Sequence, residues 1–335
     1  MKTMLKLLIT FVASSAMAQT YTVTDLGTLG SNGSYKASEA YCLNISGQVG
    51  GQSTASSRKP TDPAFLYIDG VMTSLGTLGG EYASARGINV SGQIAGYSTL
   101  RDGTYVAFLY TNGQMTALPT LGSSYAAAYA INDAGQIAGV SAIANGHQHA
   151  FLYTSGQITD LGTLGGDTST AYGINNRGVT VGYSYDRAGN FLGFIYRNGR
   201  MTSIGTLGGS WSTANAVNDH NQVTGQAYTH NNLEAHAFRY FKGTMSDLGT
   251  LGHFYSWGLG INNAGTVVGR GTTADNSEHA VISTNGGPIQ DLNDLIPAGS
   301  GWVLGEASAI NDVGQIAGYG NVGGEEHAFL LTPAE

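Results

Sequence analysis

The chain has 335 residues, with 14 lysines and arginines against 22 aspartates and glutamates, and a formal net charge of −8 at pH 7. An acidic chain without a cluster of basic residues is a poor ligand for phosphate backbones, so we expect no nucleic-acid partner. Hydrophobic residues make up 41% of the sequence, which favours a folded chain despite its 51 glycines. The single cysteine, Cys42, excludes an internal disulfide.

The first 18 residues have the layout of a secretory signal peptide. Lys2 and Lys6 flank the start of a short apolar run, and a small-x-small sequence ends at Ala18. We therefore predict cleavage after Ala18 and a secreted or periplasmic mature chain of residues 19–335. The apolar run is shorter than the roughly 20 residues that a membrane helix needs, so we expect no membrane span.

Three sequence markers then recur in a fixed order along the rest of the chain. The first is "LGTLG", which begins at Leu26, Leu75, Leu118, Leu161, Ile204, Leu248 and, degenerate, Leu292. The second is an asparagine after an apolar residue, at Asn44, Asn89, Asn132, Asn175, Asn218, Asn262 and Asn311. The third is the phenylalanine of "HAF" or its substitute, at Phe65, Phe108, Phe151, Phe194, Phe238, Val281 and Phe329. Central copies are 43 or 44 residues apart.

Each repeat contains four short runs that are typical of strands. In the third unit these are "AAAYAIN", "QIAGVSA", "HAFLYT" and "QITDLGTLG", with glycine or asparagine between them. A repeat of this length with four strands predicts one blade of a β-propeller.

One glycine in the second predicted strand is present in every copy. It stands at Gly51, Gly96, Gly139, Gly182, Gly225, Gly269 and Gly318. A position that never carries a Cβ predicts a close backbone approach or a bulge, and so a structural role.

The two ends of the mature chain predict how the array closes. "YTVTDLGTLG" at Tyr21–Gly30 is a fourth strand without a blade before it, and "HAFLLTPAE" at His327–Glu335 is a third strand without a fourth. Pairing them would remove two raw sheet edges. We therefore predict an all-β, seven-bladed propeller of residues 19–335, with four antiparallel strands per blade and the N-terminal strand completing the last blade.

The pattern "HAFLY…G…DLGTLGG…IN…G…VG" resembles the HAF-repeat family of bacterial extracellular proteins over residues 21–331. The resemblance implies export and a propeller fold. It implies no catalytic residues.

Aromatic residues are concentrated where the fourth strand leads into the next blade. This set comprises Tyr35, Tyr82, Tyr125, Trp211, Tyr255, Trp257 and Trp302, and it contains all three tryptophans. In a propeller these loops share one face with the loops that join strands two and three, which carry many charged residues. Rings beside polar groups favour a face that binds an extracellular carbohydrate or protein without catalysis. Alternatively, Tyr82, Tyr125 and Trp211 only cap the core between blades.

A catalytic interpretation depends on inner-strand residues. Arg86 stands where other blades carry Tyr129 and Tyr172, and His253 replaces a glycine. An arginine and tyrosines could neutralise a uronate and move a proton, as in a polysaccharide lyase. Because no carboxylate pair, nucleophile motif or metal cluster accompanies them, we favour the non-catalytic interpretation. A purely structural surface or matrix protein is a third alternative.

The histidines of "HAF" do not indicate a metal site. They are His149, His236, His279 and His327, and the other blades carry Pro63, Val106 and Leu192 at the same position. Copies on separate blades cannot converge on one ion. We therefore expect no metal, no cofactor and a monomeric chain.

Overall fold

In the computed structural model, residues 19–30, 36–55 and 61–334 are described. The predicted signal peptide at residues 1–18 lies outside them. The described residues form seven blades of four antiparallel strands arranged around a central channel. The prediction of a seven-bladed propeller is confirmed.

The first strand of each blade is innermost and the fourth is outermost. Blades 1 and 2 contain β2 (Ser38–Leu43), β3 (Val49–Ser53), β4 (Ala64–Ile68) and β5 (Val71–Gly76), then β6 (Ala83–Ile88), β7 (Ile94–Thr99), β8 (Tyr105–Thr111) and β9 (Gln114–Ala117). Blades 3 and 4 contain β10 (Gly122–Ile131), β11 (Ile137–Ile143), β12 (Gln148–Thr154) and β13 (Gln157–Asp160), then β14 (Gly165–Ile174), β15 (Thr180–Asp186), β16 (Phe191–Arg197) and β17 (Arg200–Gly205).

The remaining blades follow the same order. Blades 5 and 6 contain β18 (Gly208–Val217), β19 (Val223–Thr229), β20 (Ala235–Phe241) and β21 (Thr244–Asp247), then β22 (Gly252–Ile261), β23 (Val267–Thr273), β24 (Glu278–Ser283) and β25 (Gln290–Asp291). Blade 7 contains β26 (Trp302–Ile310), β27 (Ile316–Val322), β28 (Glu325–Pro333) and, as its outermost strand, β1 (Tyr21–Asp25). A short 3-10 helix, Leu292–Leu295, stands in place of the degenerate "LGTLG".

The cores lie between neighbouring blades and are built from the repeated apolar positions. The phenylalanine of "HAF" is fully buried in each of the six blades that have it, and Val281 takes its place in blade 6. Alanines of the preceding blade and of the blade's own first strand share a core cluster with it, as Ala95 and Ala107 of blade 2 and Ala126 and Ala128 of blade 3 do with Phe151. Burial of these side chains supplies the main driving force for stacking the blades.

The repeated glycine of the second strand lies against the backbone of the first strand. A Cβ on Gly182 would lie 1.9 Å from the carbonyl oxygen of Thr170. The corresponding distance at the other six glycines is between 1.8 and 2.1 Å. In blade 4 the first strand also shifts register next to this glycine, between Ala171 and Gly173. The close approach and the bulge explain why every copy keeps glycine.

The ring is closed by the two ends of the chain. Strand β1 pairs antiparallel with β28, from Tyr21 opposite Pro333 to Asp25 opposite Phe329. The imidazole Nδ1 of His327 also lies 2.9 Å from a carboxylate oxygen of Asp25. The predicted closure is confirmed. The last blade therefore pairs two strands, β1 and β28, that are about 300 residues apart in sequence.

The repeated asparagines form a second, continuous closure around the axis. The Nδ2 of Asn132 donates to the carbonyl oxygen of Asn175 at 3.0 Å, and the other six asparagines do the same to the next blade. The last bond of this asparagine ring runs from Asn311 to Asn44. Within each blade the side-chain oxygen also accepts from the following turn, as from the backbone nitrogen of Gln136. The asparagine therefore shapes its own turn and ties it to the neighbouring blade.

The histidines of "HAF" pair with an aspartate on the outermost strand of their own blade. The pairs are His149 with Asp160, His236 with Asp247, His279 with Asp291 and His327 with Asp25. In the three blades without this histidine the aspartate is absent too, since Pro63, Val106 and Leu192 are matched by Ser74, Ala117 and Ser203. The histidine thus joins the third strand of its blade to the fourth. This pairing explains why the histidine occurs only in the blades that also have the aspartate.

Candidate functional site

The end of the channel opposite the asparagine ring opens into a cavity of about 450 Å³, which we call the axial cavity. Each blade contributes the same position of its first strand to the wall. These seven residues are Tyr41, Arg86, Tyr129, Tyr172, Asn215, Leu259 and Ser308. Residues from higher on the same strands, Trp211, Thr213, Trp257 and Glu306, form the rim together with Phe191 and Gln226.

Aromatic rings follow one side of the cavity from blade 2 to blade 5 without a gap. Neighbouring centroids in this aromatic arc are 4.1 to 6.0 Å apart. The order of the rings is Tyr82, Tyr97, Tyr129, Tyr172, Tyr183, Phe191, Trp211 and Tyr228. At these separations each ring supports the next in a stacked, tilted or edge-on arrangement, so the arc is a rigid surface.

The opposite side of the cavity, formed by blades 6, 7 and 1, is charged. The guanidinium of Arg270 lies 4.4 Å from the centroid of Trp257, and its Nη1 is 3.4 Å from Glu306 and 3.3 Å from Glu278. Burial, followed by the charges of Glu326 and Glu306, raises the pKa of Glu39 to about 7. The two sides therefore differ in chemistry, with aromatic rings and Arg86 on one and coupled ionisable groups on the other.

The three predicted catalytic residues on inner strands do meet in the axial cavity. The rings of Tyr129 and Tyr172 are 5.2 Å apart, and the guanidinium of Arg86 lies 3.9 Å from the centroid of Tyr41. Burial raises the pKa of Tyr129 and brings the pKa of Tyr172 to about 12. Both phenols consequently stay protonated at neutral pH and act as hydrogen-bond donors.

His253, the fourth candidate, lies elsewhere. It is in the second position of β22, its ring contacts Phe254 at 4.4 Å, and it does not line the axial cavity. The structure therefore brings Arg86, Tyr129 and Tyr172 together but leaves His253 apart from them.

The structure places the predicted aromatic residues in different surroundings. Trp211 and Trp257 line the axial cavity, and Tyr255 lines a groove beside it. Tyr82 stacks on Tyr97 and its hydroxyl donates to the side-chain oxygen of Gln52. Tyr125 lies on β10 and is half-buried beside Tyr129.

Trp302 is in neither cavity. The ring of Trp302 packs edge-on against the buried Phe329 at 5.9 Å and belongs to the core of blade 7. Tyr35 lies outside the described residues.

Most of the predicted aromatic residues sit on strands and not on the loops where the sequence predicted them, whereas Tyr82 directly precedes β6 and forms an isolated bridge with Asp62. Tyr125, Trp211, Tyr255 and Trp257 belong to β10, β18 and β22. These first strands are ten residues long, because pairing with the second strand resumes beyond a bulge at their outer ends, as at Gly252 with Thr273. The rings are thereby held by a sheet, which limits their movement.

Several site residues were missed from the sequence. Tyr97, Tyr183 and Arg270 each directly follow the repeated glycine of the second strand, and Phe191 begins a third strand. Since side chains alternate along a strand, the residue after that glycine points to the opposite face from the glycine itself. The residue that follows the glycine differs from blade to blade, and this variation could have identified it as a site residue.

Within the described ranges, no group of three or more histidine, cysteine, aspartate or glutamate side chains is arranged to hold a metal ion. The same part of the chain contains no helix long and apolar enough to cross a membrane. The lining of the axial cavity offers stacking on aromatic rings, hydrogen bonding by phenols and amides, and charge from Arg86 and Glu306.

No protein-family model matches this chain, and no curated protein sequence matches it. Solved structures do match. A puromycin-hydrolysing peptidase of Mycobacterium tuberculosis is 11% identical with a TM-score of 0.57, over 89% of this chain and 52% of that one. For an acylaminoacyl peptidase of Pyrococcus horikoshii the identity is 10% and the TM-score 0.55, over 90% and 53%. A lectin of Burkholderia pseudomallei is 8% identical with a TM-score of 0.49, over 93% and 95%.

At these identities the similarity concerns the propeller fold alone. This chain spans about half the length of the two peptidases.

Proposed function

We propose that this propeller is a non-catalytic binding protein that holds an extracellular carbohydrate in the axial cavity. The observation that carries the proposal is the aromatic arc, which runs past four blades and includes Trp211, one of the two tryptophans of the cavity rim. The predicted signal peptide supports an extracellular or periplasmic ligand.

Sugars match this surface because they have two kinds of face. The C–H faces of a pyranose ring lie flat on indole and phenol rings, while the hydroxyl groups at its edge need donors and acceptors. Around the cavity these are available from Tyr129, Tyr172, Asn215 and Gln226. A cavity of about 450 Å³ is also within the range that small ligands occupy.

The protonation of the tyrosines disfavours the lyase alternative. Elimination from a uronate needs a base, and a phenol must lose its proton to serve as one. Because burial raises the pKa of Tyr172 to about 12 and also raises that of Tyr129, neither supplies a phenolate at neutral pH. Arg86 is also already stacked on Tyr41.

A glycan array with the mature protein tests the proposal. We expect at least one glycan to bind, and Trp211→Ala and Trp257→Ala each to weaken that glycan about tenfold, because each removes one stacking ring. Phe254→Ala is the matched control, since this exposed aromatic is on the same strand as Trp257 but outside both cavities.

Incubation with polyuronates, followed by ultraviolet detection of unsaturated products, separates binding from catalysis. Product that disappears in Tyr172→Phe would replace the binding proposal with the lyase. An array in which no glycan binds would contradict the proposal.

A further inference from the structure

The axial cavity continues sideways into a groove between blades 5 and 6. This interblade groove has a volume of about 390 Å³ and is lined by Trp211, Gln226, Tyr228, Ala235, Tyr255 and Trp257. Trp211, Gln226 and Trp257 also line the axial cavity, so the two spaces share a wall. A ligand in one can therefore extend directly into the other.

A single small residue opens this groove. Ala235, three residues before the phenylalanine of "HAF", is 3% exposed and forms the bridge to Tyr255 that joins the two blades. The corresponding residues of the other blades are Asp62, Tyr105, Gln148, Phe191, Glu278 and Glu326. In blade 4 the ring of Phe191 fills the equivalent space, 4.1 Å from Tyr183 and 5.2 Å from Trp211. Blade 5 has no such filler.

The lining of the groove indicates what it holds. None of its six residues carries a charge, and four of them are aromatic. The buried side chain of Gln226 is fixed by a bond from its Nε2 to the carbonyl oxygen of Ala235 at 3.3 Å. Arg270 stacks on Trp257 and orients that ring. Uncharged, rigid rings with one fixed amide are suited to a neutral sugar unit and give a charged unit no partner.

We infer that the interblade groove is a second subsite, which holds a neutral hexose or pentose unit of a linear oligosaccharide whose neighbouring unit occupies the axial cavity. This inference rests on the proposed carbohydrate-binding function and assigns it a substrate class: unbranched glycans of at least two units with an uncharged unit next to the axial one. Single sugars bind to the axial cavity only.

The test uses binding calorimetry with ladders of cello-, malto-, manno- and xylo-oligosaccharides of one to five units. For the ladder that binds, we expect the affinity to rise about tenfold when the chain becomes long enough to enter the groove. Ala235→Phe places in blade 5 the side chain that blade 4 already accommodates. It should remove this gain, so that the long members of the ladder bind this variant no more tightly than the single sugar does.

Gln148→Phe is the control, because it introduces a phenylalanine at the equivalent position of blade 3, away from the groove. Tyr129→Ala, which lines only the axial cavity, should weaken every member of the ladder. If the wild-type protein binds no ladder, the proposed function fails and the subsite with it. If it binds a ladder but Ala235→Phe keeps the full gain with length, the function stands and the second subsite is refuted.

Discussion

The two ends of the central channel are built from the same seven strands, yet they differ in how strictly the repeat is kept. At one end the first strand of every blade is followed directly by an asparagine that makes the same bond to the next blade. Three residues earlier on those strands, the axial cavity is lined by five residue types, namely tyrosine, arginine, asparagine, leucine and serine. The comparison teaches that identical contacts close the ring, whereas differences between blades create a site with distinct sides.

Among the substitutions at repeated positions, we expect the largest loss of stability when a methyl group is added to the repeated glycine of the second strand. In Gly182→Ala the Cβ would lie 1.9 Å from the carbonyl oxygen of Thr170, so the strands must separate. We expect a loss of about 4 kcal/mol or more in the free energy of unfolding, measured with a chemical denaturant. Gly156→Ala is the control, because that turn glycine has a positive φ but open space around it. It should lose only about 1–2 kcal/mol. Equal losses at the two positions would show that close approach is not the constraint.

The asparagine ring gives the next largest effect. Asn132→Ala removes a donor to Asn175 in the next blade and an acceptor for the nitrogen of Gln136. With buried groups left unpaired, we expect a loss of about 2–3 kcal/mol in the free energy of unfolding.

Ser308→Ala changes a polar residue of the same channel at its varied end, where it bonds only to Glu306. We expect a change within about 0.5 kcal/mol. If Ser308→Ala cost as much as Asn132→Ala, the proposed division between the two ends would be wrong.

A smaller effect is expected from exchanging one histidine–aspartate pair for the residues of another blade. The double variant His236→Leu with Asp247→Ser copies Leu192 and Ser203 of blade 4, where the serine keeps the same bond to the following glycine that Asp247 makes. The hydrogen bond that the His236 imidazole donates to Asp247 raises the pKa of His236, although burial opposes the change. A raised histidine pKa stabilises the fold below the ordinary pKa of about 6.5, and this stabilisation is lost as the pH rises through the folded value.

The double variant should therefore lose less than about 1 kcal/mol near pH 5.5 and almost nothing near pH 8.5, in denaturation measured at both pH values. A deficit that grew with pH would contradict the assignment.

The smallest effect concerns the charged side of the axial cavity. Burial and then the neighbouring glutamates raise the pKa of Glu39 to about 7, so its ionisation lowers stability as the pH rises from the ordinary carboxyl pKa through about 7. Glu39→Gln removes that contribution. Its midpoint of thermal unfolding should match the wild type in acid and exceed it in mild alkali. A variant that is less stable in alkali would show that the ionised carboxylate is favourably paired.

The fold could be predicted because its constraints repeat. Seven copies of the glycine and asparagine show which positions tolerate no change, and the unpaired ends of the chain predict the closure that β1 and β28 make. The pairing of the "HAF" histidine with an aspartate could also have been read from the sequence, since both are absent from the same three blades.

The candidate site could be predicted only in part, because it depends on positions that vary. Arg86, Tyr129 and Tyr172 were found because they are aromatic or charged on predicted inner strands, and Trp211 and Trp257 because they are aromatic in the loops predicted before those strands. Trp302 has the same composition signal but packs into a core, since its strand turns the ring toward Phe329. The groove at Ala235 had no signal of its own, because a small residue becomes informative only when the volume around it is known.

The join between β1 and β28 has a consequence for the order in which the chain can fold. Among the strands of the propeller β1 is made first, and about 300 residues must follow it before it can meet its partner β28. Contacts of such long sequence separation are slow to form, so folding should finish late, with a partial stack of blades waiting for its final strand. Until β1 pairs with β28, each end of the stack exposes unpaired backbone groups to strands of other chains. The risk of aggregation should therefore be highest before the ring closes.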